Sequence, residues 1–270
     1  MKQRADVRLT ESGQVDSRQK AQALIMAGQV YLGERQIKKA SEMIPEEEEL
    51  TIRGPVDRIA SRGFHKLEKA IAVFQPDLEG RVCMDIGAAA GGFTDVLLRN
   101  GAGHVYAIDV GYGQFDYQLS QDPRVTVMER TNARTLTPDM FDLHPTLTVM
   151  DVSFISITKI LPAAISIMGP EGRVITLVKP QFEAGRGLVG KNGVVREEST
   201  HRQVLRSICD AADQLGWSVR QLTFSPITGP KGNIEFLADL QPGLATAPTD
   251  QEIAELVKTA HEELGKGRII

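Results

Sequence analysis

From Arg81 onward, short apolar runs alternate with stretches of helical spacing, the pattern expected of strands linked by crossover helices. Strands are predicted at RVCMDIG (81–87), HVYAID (104–109), RVTVM (124–128), TLTVMD (146–151) and RVITLVK (173–179), with helices near 92–100, 156–168 and 197–215. Two further runs, SVRQLTFS and NIEFLADL, follow one another across the Pro- and Gly-containing turn SPITGPKGN and read as an antiparallel hairpin at the sheet edge. Five βα steps and that pair predict an α/β domain with a seven-stranded, Rossmann-like sheet whose last strand is antiparallel.

The preceding chain is patterned differently. Ser17 is placed to cap a helix over RQKAQALIMAG, with Ala21, Leu24 and Ile25 on one face and Gly28 as its terminator. QVYLG and LTIRG then read as short strands. The resulting division is a small α+β module over 1–57, a linker over 58–65, the α/β domain over 66–242, and a tail over 243–270 with a short helix from Gln251 to Leu264.

Composition agrees with a folded chain: 270 residues, 41% hydrophobic and 24% charged, exclude disordered and fibrous classes. Cys83 and Cys209 belong to no Cys-x-x-Cys pattern, so neither a disulfide scaffold nor a zinc site is suggested, and a reducing cytoplasmic setting is expected. His65, His104, His144, His201 and His261 have no metal-ligand spacing. No apolar run approaches the roughly 18 residues of a membrane span, and the opening MKQRADVRLTES lacks a signal-like core.

The net charge of −4 would speak against a polyanionic partner if it were evenly spread. It is not. Residues 1–40 carry eight cations against four acids, which leaves −8 for the remainder. Arg4, Arg18, Lys20, Lys38 and Lys39 form either a solubilising surface or a nucleic-acid grip. The run Glu46 to Glu49 reads as a solvated turn.

The strongest local motif is Asp85-Ile86-Gly87-Ala88-Ala89-Ala90-Gly91-Gly92-Phe93, from the first strand of the α/β domain into a helix. Small residues permit close backbone approach to a ligand, and the helix start offers unpaired N–H groups. A dinucleotide fingerprint needs glycine where Ala89 stands. The acid Asp85 suits the cationic amino group of S-adenosylmethionine better than a phosphate. Asp109, at the end of the second strand, is placed for a ribose diol, and Asn132 and Ala133 lie where an adenine-contacting turn is expected.

Asp151 and Lys179 end strands, Glu235 sits in the last strand and Lys66 stands at a helix start, so four charges of alternating sign converge near one mouth. Charges in apolar runs are costly unless paired or used, so each is either a structural ion pair or part of a reaction site. Phe154 is a base-stacking or a core aromatic.

SRGFHKLEKA, DIGAAAGGFTDVLL, DVGYGQ, VMERTNAR, DVSFIS, LVKPQFEAGR and GPKGNIEF together resemble the TlyA family over nearly the whole chain. The resemblance implies an S4-like RNA-binding domain, with Ser17-Arg18 and Ala21, joined to an FtsJ-like methyltransferase domain. It implies a Lys-Asp-Lys-Glu tetrad for ribose 2′-O methylation at Lys66, Asp151, Lys179 and Glu235, and adds Val110 and Asp151 to the S-adenosylmethionine contacts. Its expected substrate is cytidine in ribosomal RNA of the small or large subunit, and the C-terminal helix resembles the form acting on both. The chain departs from the family at Arg58-Ile59-Ala60-Ser61-Arg62-Gly63-Phe64, where relatives place an aromatic residue and valine before Ser-Arg-Gly-Gly.

Other chemistries fit less well. Pyrimidine C5 methylation needs a cysteine nucleophile at the site, whereas Cys83 lies inside a strand and Cys209 in a helix. Exocyclic-amine methylation uses Asn or Asp-Pro-Pro-aromatic where this chain has Asp151-Val152-Ser153-Phe154. The competing classes are a non-catalytic ribosome-assembly factor that keeps the fold, a small-molecule O-methyltransferase, and a membrane-active hemolysin, for which no amphipathic membrane helix is visible.

Overall fold

The computed structural model describes residues 2–15, 17–26, 28–33, 35–45, 48–52 and 63–264. The chain divides into two compact units, Met1–Ile59 and Ala60–Ile270. Of the expected linker, residues 58–62 lie outside the described residues, as do Glu46 and Glu47, while Phe64 and His65 already belong to a helix.

The first unit runs β1 (Lys2–Arg4), α1 (Ala5–Glu11), α2 (Arg18–Met26), β2 (Val30–Leu32), β3 (Arg35–Gln36), β4 (Met43–Pro45) and β5 (Leu50–Ile52). Helix α2 begins directly after Ser17 and ends as its sequence predicts. Gly28, at φ +73°, donates to the Ile25 carbonyl while Gln29 donates to Leu24, a left-handed stop that glycine adopts without strain. Strand β2 pairs antiparallel with β3 and β5, and β1 pairs with β4. Leu9, Ile25, Val30, Ile37 and Ile44 form its core.

The second unit runs α3 (Phe64–Phe74), β6 (Val82–Ile86), α4 (Gly92–Arg99), β7 (His104–Ile108), α5 (Tyr117–Ser120), β8 (Val125–Met128), β9 (Leu147–Met150), α6 (Leu161–Met168), β10 (Arg173–Val178), α7 (Pro180–Glu183), α8 (Glu198–Gln214), β11 (Trp217–Phe224), β12 (Phe236–Pro242) and α9 (Asp250–Leu264). Its seven strands lie in the order β11-β12-β10-β9-β6-β7-β8. β10, β9, β6, β7 and β8 are mutually parallel, and β12 runs antiparallel to both β10 and β11. The hairpin therefore occupies the edge, with its second strand slipped inside.

Period-two alternation distributes the strand side chains to two layers. Cys83, Val105, Ile175 and Leu177 join Leu67 and Phe74 of α3 and Leu97 of α4. Met84, Tyr106, Val174 and Val178 meet α6, α8 and α9. The C-terminal helix is part of that core rather than an appended tail. Ile253, Val257 and Ala260 are buried against it, and His261 lies 2.8 Å from the buried His201 of α8, ring nitrogen to ring nitrogen.

Candidate active site

The parallel strands end together, so residues after β6, β7, β9 and β10 converge although they are far apart in sequence. Asp151 follows β9, Lys179 follows β10, Glu235 directly precedes β12, and Lys66 stands in the first turn of α3. The fold joins these four into one chain of alternating charge. Lys66 Nζ is 2.6 Å from Glu235 Oε2 and 3.6 Å from Asp151 Oδ2, and Lys179 Nζ is 2.5 Å from Asp151 Oδ1. Burial pushes the Lys66 ammonium down, but the carboxylates of Asp151 and Glu235 outweigh it and hold its pKa above the usual lysine value. All four expected tetrad positions are thus within one network.

Two neighbours were not expected from the sequence. Lys179 Nζ donates to Ser153 Oγ at 3.0 Å, and Gln181 Nε2 reaches Glu235 Oε1 at 3.5 Å. Ser153 sits two residues beyond Asp151 in the same turn, and Gln181 two beyond Lys179, so the DVSF and KPQF runs were the signals available. Phe154, the next residue in that turn, is 91% exposed and held at φ +65°. It is not a core aromatic; its ring leans on Phe182 at 5.2 Å between centroids.

The small-residue turn after β6 is shaped by the protein itself. Gly87 has φ +86°, and a Cβ there would stand 2.5 Å from the Asp151 carbonyl oxygen; at Gly91, φ +94°, it would press on Leu119 and Phe115. These glycines are required by chain crossing, not solely by the close approach of a ligand as the sequence suggested. The Phe93 ring is buried with Leu67 and Leu97, which leaves only its backbone for a ligand; Gly92 opens α4. Asp109 ties two loops together, accepting from Ala89 N–H at 2.8 Å and Gly111 N–H at 2.7 Å. Beside it Val110 is exposed and Ala88 is buried. Asn132 accepts from Arg134 N–H as a cap, and Ala133 packs into the core.

Asp85 departs most from expectation. Its carboxyl is wholly buried and Oδ2 accepts from Thr94 Oγ1 at 2.7 Å, while Oδ1 finds no hydrogen-bond donor among the described residues. Burial pushes this acid up to about 7, against the lowering effect of the Thr94 hydrogen bonds. It is a buried group beneath the turn, one oxygen held by Thr94 and the other without a donor among the described residues.

In the first unit, Arg4 and Arg18 converge on Asp6 instead of standing free, and Lys38 and Lys39 are exposed between β3 and β4. The Lys20 side chain lies outside the described residues.

A sheet of this order with a charge tetrad at its strand ends defines an enzyme of the FtsJ-like methyltransferase class, here preceded by an S4 domain: the two family models match residues 59–241 and 3–50. Among its relatives, the 16S/23S rRNA (cytidine-2′-O)-methyltransferase TlyA of Mycobacterium tuberculosis is 40% identical over 96% of this chain and 97% of its own. YqxC of Bacillus subtilis, provisionally named an rRNA methyltransferase, is 45% identical over 97% of this chain and 95% of its own. A Streptococcus thermophilus protein solved under a hemolysin name is 45% identical over 98% of both chains, with a TM-score of 0.77. The chain belongs to the TlyA family. Among the described residues no helix is long and apolar enough to cross a membrane.

Proposed function

We propose that the protein transfers the methyl group of S-adenosylmethionine to a cytidine ribose 2′-hydroxyl in 16S or 23S ribosomal RNA, in the cytoplasm. The observation that carries this reading is the alternating chain Glu235–Lys66–Asp151–Lys179, set beside the exposed Phe154. The names of the relatives support the same substrate.

The residues present suit the cofactor. Asp85 Oδ1 is a buried acid oxygen at the carboxyl end of β6 without a donor among the described residues, and a cationic group brought to the turn would favour its ionised form and pair with it. Asp109, with Val110 beside it, and the Ala88–Ala89 turn would hold the ribose and adenine side together with Asn132 and Ala133. When bound, the sulfonium supplies an already electrophilic methyl group, so alignment contributes most of what the protein must add. Lys179, paired with Asp151 and Ser153, has a further N–H to direct at the 2′-oxygen, where it orients the hydroxyl and stabilises the charge developing on it while the proton leaves to water. Lys66 and Glu235 fix Asp151, and through it Lys179. Phe154 stacks on the target base.

Titration calorimetry with S-adenosylmethionine tests the enzymatic reading against a non-catalytic assembly factor. Saturable binding is expected; a natively folded chain that binds none excludes transfer.

A further inference from the structure

The two guanidiniums expected to meet RNA share one buried carboxylate. Asp6, in the first turn of α1, has no solvent exposure. It accepts from Arg4 Nε and Nη2 at 3.0 Å each, from Arg18 Nη2 at 3.2 Å and from Gln22 Nε2 at 2.8 Å. Its Oδ1 also receives the Val7 N–H at 3.0 Å. The hydrogen bonds from Arg4 hold this acid far below the usual carboxylate range. The arginine side chains nevertheless remain 41% and 56% exposed. The start of α1 is fastened to the turn carrying the two lysines, because Asp6 N–H donates to the Ala40 carbonyl and Ala5 N–H to the Glu42 carbonyl.

A carboxylate among cations that face a polyanion would ordinarily subtract from binding, since it offsets one positive charge. A guanidinium is a planar fork, however, and its value to a phosphate depends on being held in a fixed plane. The bidentate pairing spends one edge of Arg4 on that task. We propose that Asp6 is a positioning residue for RNA: it fixes Arg4 and Arg18 so that their solvent-facing N–H groups present a preformed receptor for neighbouring backbone phosphates of a folded RNA. Gln22 and the Val7 N–H satisfy the carboxylate so that it stays buried. The proposal rests on the RNA-directed reading of the first unit given above, and assigns the pre-organisation of that surface to a negatively charged residue.

Charge and positioning predict opposite signs, which makes the idea testable. The full-length protein and its Asp6→Asn variant are titrated with transcribed 16S and 23S ribosomal RNA over a range of salt concentrations, with thermal melting and S-adenosylmethionine affinity as controls. Asp6→Asn makes the protein more positive, yet positioning predicts binding about fivefold to tenfold weaker at low salt. Binding that is equal or tighter overturns the proposal. In a background already carrying Arg4→Ala and Arg18→Ala the loss should vanish; a loss that persists there means that Asp6 acts on the fold alone, and also overturns it.

Arg4→Lys and Arg18→Lys cover the case in which Asp6→Asn fails to fold. They keep the charge but replace the fork by a point charge, and each should weaken RNA binding nearly as much as alanine does. Lysine variants that bind as the wild type does, while the alanine variants bind weakly, overturn positioning and leave the RNA-directed reading standing. Alanine variants with undiminished RNA affinity overturn that reading itself.

Discussion

Lys66 Nζ stands 2.6 Å from Glu235 Oε2, joining the first helix of the methyltransferase unit to the entry of its last strand, 169 positions away. Both side chains are almost fully buried. Removing one member of such a pair strands the other's charge, which costs about 3–5 kcal/mol, whereas removing both costs much less. Lys66→Met and Glu235→Gln should each lower the urea midpoint, and the double variant should recover part of it. Methyl transfer should stay abolished in all three. Recovery of activity together with stability in the double variant would reduce the pair to a structural ion pair.

Lys179 tests the chemical role. Arginine preserves the positive charge but cannot reproduce a compact ammonium held between Asp151 and Ser153. Lys179→Arg should lower kcat by about 100-fold or more with S-adenosylmethionine affinity unchanged. Ser153→Ala, which removes one contact and leaves the amine, should lower it by about tenfold. Turnover like the wild type in Lys179→Arg removes this residue from the reaction.

Phe154 combines exposure with a left-handed backbone, a conformation non-glycine residues adopt at a cost of about 1 kcal/mol or more. Phe154→Gly should therefore melt at a higher temperature than Phe154→Ala. Both should raise KM for RNA by about tenfold, the loss expected for one stacked base. If neither changes KM, the ring contacts no RNA.

Asp85 predicts a pH signature. The acid is neutral in the fold up to about 7 because it is buried, while the unfolded chain releases that proton near 4. Its folded pKa is raised, so its contribution is complete below about 4 and is lost as the pH climbs through about 7. Asp85→Asn is neutral throughout and should be more stable than the wild type at about pH 8, by an amount on the order of a few kcal/mol, with no advantage below about pH 4. Urea unfolding across that range reads the difference, and parallel curves for the two proteins contradict it.

The sheet was legible because its strands are apolar runs bounded by glycine or acidic residues, and the hairpin because two such runs follow one another across a Pro/Gly turn. Helix α1 was not. It has seven residues, and what anchors it is an ion-paired Asp6, a residue that patterning assigns to solvent. The tetrad was legible as converging charges of alternating sign, but which acid meets which lysine, and the part of Ser153, depend on contacts between α3, β9, β10 and the entry of β12. Gly87 was legible as a turn former, whereas its reason lies in the Asp151 carbonyl of another strand. The acid at Asp85 was legible as a partner for a cationic group, whereas its burial was not, because its partner Thr94 acts only once α4 has folded back over the turn.

The central claim is most directly tested by incubating the protein with unmodified 30S and 50S ribosomal subunits and S-adenosylmethionine labelled in its methyl group, then mapping the label in the RNA. The prediction is label on a cytidine ribose 2′-oxygen, abolished by Lys179→Ala. Label on a base, or none in either RNA while the protein binds the cofactor, would contradict it.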